Sequence, residues 1–277
     1  MAITASQVKE LRDATSVSMM ECKKALVETG GDFDAAMKIL RARGAAVAAK
    51  RASKEANQGL ITAAASEDGN TIAIVEVNSE TDFVARNEDF IKFAAAVAEK
   101  ALESDAPIAE VMNNELMDQV AAMGENLKLR RNTRYQLSGP GKVASYIHMG
   151  GKVGVMIEVG CEKDETAATP VFNELVKDLT LHIAAAAPAY LTSDEIPEDV
   201  IEEERKIFVK QVEGKPENII DNIVKGKMNK FFAEKCFINQ GFVKEPKQSI
   251  TQLLEEKGKE LGDTLTIKRF TRYQLGA

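Results

Sequence analysis

Apolar residues recur at helical spacing along the start of the sequence. Thr4 and Gln7 have the spacing of a capping box, which predicts a helix over residues 5–15. A second helix is predicted over residues 19–28, because the glycine pair Gly30-Gly31 follows it and such pairs end helices.

A third helix is expected after Asp32, whose side chain suits an N-cap. Its apolar positions at helical spacing are Phe33, Ala36, Met37 and Leu40. The run at residues 45–56, rich in Lys, Arg and Ala, is expected to form a fourth helix or a linker. The pattern therefore predicts a small, tethered module of helices.

The period of the pattern changes at Gly59. Short apolar and β-branched runs at residues 60–65 and 71–78 surround turn-forming residues at 66–70, which predicts a β-hairpin. The elements expected after it are a helix capped by Asn87, a helix over residues 114–123, and strands over residues 127–137, 143–148 and 152–159. Such runs of strands and of helices favour an α+β fold.

Two parts of the chain repeat each other. Residues 124–139 align without gaps on residues 262–277 and match at eight of sixteen positions. The sequence Ile-Val-Glu-Val at residues 74–77 returns as Met-Ile-Glu-Val at residues 156–159. The simplest interpretation is a core of two related α+β subdomains.

An αα-hairpin is predicted before the last strand. Pro197 suits the start of a helix, and Gly214 and Pro216 separate it from a second helix over residues 217–232. Its many apolar positions either contact a partner or a second copy of the chain, or pack only against each other and the core. The predicted division is a helical module at residues 1–57, core subdomains at 58–140 and at 141–192 with 233–277, and an inserted hairpin at 193–232.

Composition and charge limit the classes of partner that are expected for this chain. The 277 residues carry a formal net charge of −7, which argues against nucleic acid as the partner of the whole chain. Basic residues concentrate between Lys38 and Lys54, and we expect a solvated helix face and linker there rather than an RNA contact. The three cysteines are far apart and are expected to be reduced thiols. Without a membrane-spanning run or a signal pattern, a cytoplasmic protein is expected, with no contact to a membrane.

The sequence offers no complete set of catalytic or metal-binding residues. Residues 139–142, Gly-Pro-Gly-Lys, resemble a phosphate loop, but Gln136 and Val143 stand where that motif needs Gly and Ser or Thr. His182 lies among apolar residues and is expected to be a hydrogen-bonded residue of the core or of a helix face. His148 ends a strand, where a partner contact and a structural role are equally good interpretations. We therefore expect no enzyme activity, no metal and no cofactor.

One loop places apolar residues in a polar connection. Residues 79–86, Ser-Glu-Thr-Asp-Phe-Val-Ala-Arg, lie between a predicted strand and a predicted helix. Phe83 and Val84 either fold back under that helix as local core, or form an exposed apolar wedge beside the carboxylate of Asp82.

Several motifs together resemble the elongation factor Ts family. The clearest are Lys9-Glu10-Leu11-Arg12, Met19-Met20-Glu21-Cys22-Lys23-Lys24 and Thr81-Asp82-Phe83-Val84-Ala85. Further matches are Ser145-Tyr146 with His148, Gly214-Lys215-Pro216-Glu217, Lys230-Phe231-Phe232, and Phe242-Val243-Lys244 with Pro246. They cover nearly the whole chain in the order that the family has. One departure is Ser16-Val17-Ser18, where the family usually has a turn that contains glycine.

The resemblance implies a guanine nucleotide exchange factor for the GTPase elongation factor Tu. It implies an N-terminal three-helix bundle like a ubiquitin-associated domain, two α+β subdomains, and a helical hairpin used in homodimers. The residues implied to contact the GTPase are Arg12, Met19, Met20, Lys23 and His148. Those implied to form a loop that intrudes near the bound Mg²⁺ are Thr81, Asp82, Phe83 and Val84. By pattern alone, Met19 and Met20 also fit the core of the bundle.

Two other functions fit parts of the sequence. The helical module would suit recognition of a peptide, with the rest of the chain as a scaffold. The basic residues 38–54 would suit an RNA-binding translation protein. Neither function accounts for the apolar residues beside Asp82.

Overall fold

The structure, a computed structural model, describes residues 3–15, 17–212, 214 and 216–277. Met1, Ala2, Ser16 of the unusual turn and Lys215 of the hairpin motif lie outside the described residues. The helices are α1 (Ala5–Thr15), α2 (Met19–Glu28), α3 (Phe33–Arg51), α4 (Asp82–Ala85), α5 (Glu88–Lys100), α6 (Ile108–Val111), α7 (Asn113–Met123), α8 (Asp164–Ala167), α9 (Pro170–Ala186), α10 (Glu198–Gln211), α11 (Glu217–Lys235) and α12 (Ile250–Leu261). The strands are β1 (Gln58–Ala65), β2 (Thr71–Ser79), β3 (Leu127–Gln136), β4 (Gly141–His148), β5 (Val153–Gly160), β6 (Gly241–Phe242), β7 (Glu245–Ser249) and β8 (Thr266–Gln274). Helices and strands occur in separate runs, so the chain has the predicted α+β fold.

The chain divides into two compact units. Unit 1 comprises residues 1–135, 147–154 and 273–277, and unit 2 comprises residues 136–146 and 155–272. Among the described residues, the strands form two three-stranded sheets, β1-β2-β3 and β4-β5-β8, and the two-stranded sheet β6-β7. No helix in the described residues is long and apolar enough to cross a membrane.

Local capping fixes the first helices of unit 1. The N–H of Gln7 donates to Thr4 Oγ1 (3.3 Å) and the N–H of Thr4 donates to Gln7 Oε1 (3.0 Å), which confirms the capping box. The carboxylate of Asp32 caps α3, as predicted. Ser18 caps α2, so a serine of the unusual turn has a structural role. The buried residues of this bundle are Val8, Leu11, Val17, Cys22, Ala25, Leu26, Ala36 and Leu40.

Helix α3 is longer than the sequence indicated. It continues to Arg51, so the prediction of a separate fourth helix or a linker at residues 45–56 is wrong for its first seven residues. The reason is a close contact with α7, at which a Cβ added to Gly44 would lie 2.7 Å from the Cβ of Ala121. Glycine weakens a helix by about 1 kcal/mol, but here it allows the two helices to approach.

The first hairpin forms as predicted and provides two of the three strands of the sheet of unit 1. β1 and β2 pair antiparallel, with Gln58 opposite Ser79 and Ala65 opposite Ile72. Asn87 caps α5, whose apolar face covers the sheet. The buried residues between them are Ala73, Val75, Val77, Phe90, Phe93, Ala94, Val97 and Leu129, among others.

Each three-stranded sheet contains one buried glutamate. Glu76 accepts a hydrogen bond from Arg131 Nε, and Glu158 accepts one from Arg269 Nε, both at 2.7 Å. The two arginines are equivalent positions of the sixteen-residue repeat. Burial raises the pKa of both carboxyls, but backbone N–H donors and the arginines lower it more, so each pKa lies below its ordinary value of 4.5.

The helical hairpin of unit 2 packs largely against itself. The apolar residues in its interior are Ile196, Val212, Val224, Met228 and Phe231, with Val200, Ile201, Phe208, Ile220 and Ile223 around them. Ile207, Val209 and Ile219 remain about two-fifths exposed. Most of the apolar excess in the sequence is therefore internal packing, and among the described residues of the hairpin these three exposed side chains are left for other contacts.

Gly44 provides a test of how α3 is held. Gly44→Ala would place a methyl group against Ala121, and overpacking of this kind costs about 1–3 kcal/mol. We expect a lower free energy of unfolding in urea, despite the better helix propensity of alanine. Ala121→Gly in the same chain should recover most of this loss, because it vacates the space. Equal stability of Gly44→Ala and the wild type would contradict the packing explanation.

The buried carboxylate of Glu158 provides a second test. Arg269→Met should lower the free energy of unfolding by about 2 kcal/mol or more at pH 7, because it removes the arginine that pairs with a buried charge and leaves mainly the N–H of Ser138 to hold it. The loss should shrink toward pH 4, where the carboxyl of the variant takes up a proton. In the wild type, the pKa of Glu158 is lower in the folded state than in the unfolded state. The stability that its ionised carboxylate contributes is therefore complete above about pH 4.5 and is lost as the pH falls. Lys268→Met is the comparison variant: it removes a longer 3.7 Å contact to Glu158 and the hydrogen bonds from Lys268 Nζ to Ser138, and it should cost less than Arg269→Met because Lys268 does not hydrogen-bond the carboxylate.

Candidate functional site

The loop after β2 forms a single helical turn with an exposed phenylalanine. Thr81 caps α4 by accepting the N–H of Val84 at its Oγ1 (3.3 Å). Phe83 is 82% exposed, whereas Val84 is half-buried against the core of unit 1. Each of the two interpretations of the sequence therefore holds for one residue: Val84 is local core, and Phe83 is the exposed apolar residue.

Asp82 lies beside Phe83 on the same turn. Its carboxylate forms an ion pair with Arg86 (2.9 Å between Nη2 and Oδ2); the arginine is well exposed and the aspartate is partly exposed. Exposed pairs of this kind contribute about 1 kcal/mol or less. The carboxylate can therefore exchange Arg86 for another partner at little cost.

The second half of the chain shows what this turn is like without the phenylalanine. Helix α8 follows β5 as α4 follows β2, and it has the same length of four residues. Glu165 occupies the second position of α8, where α4 has Phe83. A glutamate is ordinary at a solvated helix start. The local fold thus does not require an aromatic residue at this position.

Helices α1 and α2 present the other predicted contact residues. Met19 and Met20 are 44% and 64% exposed, so they do not form the core of the bundle. Arg12 and Lys23 are also exposed, and Arg12 pairs with the neighbouring Asp13 at 3.7 Å. The result is an apolar pair of methionines with cations on the same two helices.

His148 is the last residue of β4 and is exposed, directly before the turn that leads to β5. The next residue, Met149, is 69% exposed and has a positive φ of 51°. Sequence reasoning missed Met149, although an apolar residue before Gly150-Gly151 was a usable signal. The corresponding turn of the first hairpin, residues 66–70, is polar throughout.

All these residues belong to unit 1, on three separate elements. The α1–α2 surface carries residues 12, 19, 20 and 23. The turn of α4 carries residues 81–84, and the β4–β5 turn carries residues 148 and 149. The predicted contact residues thus lie at three places in unit 1, and each place is a turn or a helix start with an exposed apolar side chain.

His182 is a core residue, as expected. The N–H of Val243 donates to its Nδ1 (3.2 Å), so its Nε2 carries the proton and donates to Gln240 Oε1 (2.9 Å). Burial lowers the pKa of this imidazole and favours the neutral form. Its ring also stacks on Phe237, with 5.5 Å between the ring centroids. His182 therefore has a structural role.

The basic stretch of the N-terminal module is partly neutralised by acids of unit 1. The ion pairs are Arg41 with Asp118 (3.8 Å), Arg43 with Glu28 (2.5 Å) and Arg51 with Glu80 (2.9 Å). Phosphate binding depends on cations that are free to meet phosphates. These pairs favour the solvated helix face over an RNA-binding surface. Among the described residues, no group of three or more His, Cys, Asp or Glu side chains is arranged to hold a metal ion.

A family model described as Elongation factor TS matches residues 80–277. The protein named Elongation factor Ts of a Nitratiruptor species is 46% identical over 100% of this chain and 94% of its own length. The protein of the same name from Nitratidesulfovibrio vulgaris is 41% identical over 100% of this chain and 96% of its own length. That of Clostridium perfringens is 43% identical over 99% of this chain and 93% of its own length. The chain belongs to the elongation factor Ts family, which makes it a factor of translation elongation in protein biosynthesis.

The exposure of Phe83 predicts that it contributes little to folding. Phe83→Ala should change the free energy of unfolding by about 0.5 kcal/mol or less, as for other exposed substitutions. Phe90→Ala, seven residues later and fully buried, should cost about 3–5 kcal/mol. Chemical denaturation of both variants measures the difference. A comparable loss for both would mean that Phe83 is part of the core.

Proposed function

We propose that the protein is a guanine nucleotide exchange factor for the GTPase elongation factor Tu. The observation that carries the proposal is Phe83, an aromatic side chain held in solvent where the other half of the chain has Glu165. An exposed apolar side chain gains free energy by entering a partner. Membership of the elongation factor Ts family supplies the identity of that partner.

The proposed reaction is exchange by linkage, without a broken or formed covalent bond. If the chain binds the empty GTPase more tightly than the GDP form, GDP must bind the complex more weakly by the same factor. Couplings between sites are typically about 1–3 kcal/mol, and release of a tightly held nucleotide needs more than that. The protein acts as a binding factor rather than an enzyme, and it needs no cofactor of its own.

Phe83 provides part of this coupling. Full burial of a phenylalanine contributes about 1.5–3 kcal/mol, and nearly all of this gain is still available in the free protein because the ring is exposed. We place Phe83 beside the GTPase segments that hold Mg²⁺, with the carboxylate of Asp82 near the displaced ion. Thr81 caps the turn and Val84 anchors it, so the ring enters the partner on a fixed base.

A second contact is proposed at the N-terminal module. Met19 and Met20 are flexible apolar side chains suited to an adaptable protein contact. Arg12 and Lys23 would pair with acidic groups of the GTPase. His148 is proposed to approach the phosphate-binding region of the partner.

The finer architecture belongs to the same proposal. Helices α1–α3 act as a module like a ubiquitin-associated domain, and the two sheets belong to two related subdomains with the boundaries given above. The helical hairpin serves self-association, with Ile207, Val209 and Ile219 as the available side chains. A cytoplasmic location fits a factor of translation, and neither a membrane nor a nucleic acid is a proposed partner.

Exchange is tested by the release of labelled GDP from purified elongation factor Tu into excess unlabelled GDP. The protein at substoichiometric concentration should accelerate release, and Phe83→Ala should reduce the acceleration about tenfold or more, as the loss of 1.5–3 kcal/mol requires. Glu165→Ala, at the matching position of the second half, should behave as the wild type. Asp82→Ala should slow release in a manner that depends on the Mg²⁺ concentration.

Two outcomes would contradict the proposal. One is a wild-type protein that leaves the GDP release rate unchanged at every concentration. The other is a salt-sensitive affinity for RNA without any acceleration of release, which would favour the RNA-binding alternative.

A further inference from the structure

Phe83 is directed by its backbone rather than by packing. Because 82% of the side chain is exposed, few neighbours restrict where the ring points. The helix that carries it has four residues, far fewer than an isolated helix needs for stability. The place from which the ring projects therefore depends on the groups that hold the backbone of α4.

Two chain segments hold this backbone, and each segment has a carboxylate that accepts hydrogen bonds from the other. Glu125, between α7 and β3, accepts the N–H of Thr81 at Oε2 (3.0 Å) and the hydroxyl of Thr81 at Oε1 (2.7 Å). In the opposite direction, Glu80 Oε1 accepts the N–H of Asn126 (2.6 Å). We name Glu80, Thr81, Glu125 and Asn126 the reciprocal clamp.

The reciprocal clamp is attached to regular elements of unit 1. Gly124 ends α7 in the left-handed conformation (φ 71°), so Glu125 lies directly between a helix end and a strand. Arg51, the last residue of α3, donates to the same oxygen of Glu80 (2.9 Å). The N–H of Asn126 is the main cause of a lowered pKa at Glu80. Hydrogen bonds to charged groups are stronger than neutral ones, so the clamp gives the turn a firm base.

In the second half of the chain, only one of the two carboxylate contacts of the clamp has a counterpart among the described residues. Asp263, at the position of Glu125 in the repeat, accepts the N–H groups of Glu162 (3.0 Å) and Lys163 (3.2 Å). The N–H of Thr264 donates to Asp263 itself (2.6 Å), not to a carboxylate of the other segment. The two-sided clamp thus occurs in the half with the exposed phenylalanine.

We infer that Glu125 is a positioning residue for Phe83, and that the reciprocal clamp fixes the backbone from which the ring projects before the partner is met. The inference rests on the proposed exchange function and adds to it a residue that acts through Thr81. Its physical effect is preorganisation: a ring already in place loses less freedom on binding. Misplacement of a contact group by about 1 Å can cost as much as a hundredfold in rate.

The GDP-release assay tests the inference with a matched control. Glu125→Ala should reduce the acceleration about tenfold, whereas Asp263→Ala removes the same kind of acceptor from the second half and should leave it unchanged. Glu125→Gln keeps one acceptor oxygen and should lie between. Phe83→Ala added to Glu125→Ala should cause little further loss, because an unheld ring no longer contributes. Fully additive losses in the double variant would overturn the inference.

A second measurement needs no GTPase. The chain contains no tryptophan, so Phe83→Trp supplies a single tryptophan at the turn, which can be excited selectively over the tyrosines. Glu125→Ala in that background should lower the time-resolved fluorescence anisotropy of the indole, while Asp263→Ala should not. Unchanged local motion in the Glu125→Ala chain would overturn the inference.

The two measurements separate the possible failures. A wild-type protein that does not accelerate GDP release contradicts the proposed function, and the anisotropy still decides whether Glu125 holds the turn. Thermal denaturation verifies that each variant is folded. If Glu125→Ala does not fold, Glu125→Gln takes its place in both measurements, with Asp263→Asn as its control.

Discussion

A carboxylate buried in each three-stranded sheet is the constraint on which the core depends. Glu76 and Glu158 are at most 1% exposed, and a buried charge without a partner destabilises a protein by several kcal/mol. Each therefore requires an arginine from the strand that closes its sheet, Arg131 of β3 or Arg269 of β8. The glutamate lies on a hairpin strand and the arginine on a distant repeat strand. Their pairing consequently favours one partner strand for each sheet.

Each glutamate is also held by the other copy of the repeat. The N–H of Gly276 donates to Glu76 (2.9 Å) and the N–H of Ser138 donates to Glu158 (3.0 Å), and these donors are equivalent positions of the two repeat segments. The arginine and the backbone donor of one carboxylate thus come from different copies. Duplication alone does not require this arrangement, which makes each buried charge dependent on both repeat segments.

The contact residues proposed above lie where the two halves of the chain differ rather than where they agree. The buried glutamates and the left-handed glycines before the repeat strands are shared, because both sheets need them. Phe83 in place of Glu165, the exposed Met149 in a turn whose counterpart is polar, and the two-sided clamp are not shared. A side chain that differs between otherwise equivalent positions, and that its own fold does not bury, is available for a partner.

Helix starts and turns were determined by the sequence itself. Thr4, Asp32 and Asn87 cap helices through hydrogen bonds within three residues of chain, so their effect does not depend on distant packing. The length of α3 depended on a helix some seventy residues away, which a local pattern does not contain. Similarly, the tertiary structure decided that Val84 is buried and that Phe83 is not, and it brought Glu125 to the turn. Burial and long-range hydrogen bonds are properties of the assembled core, whereas capping is a property of neighbouring residues.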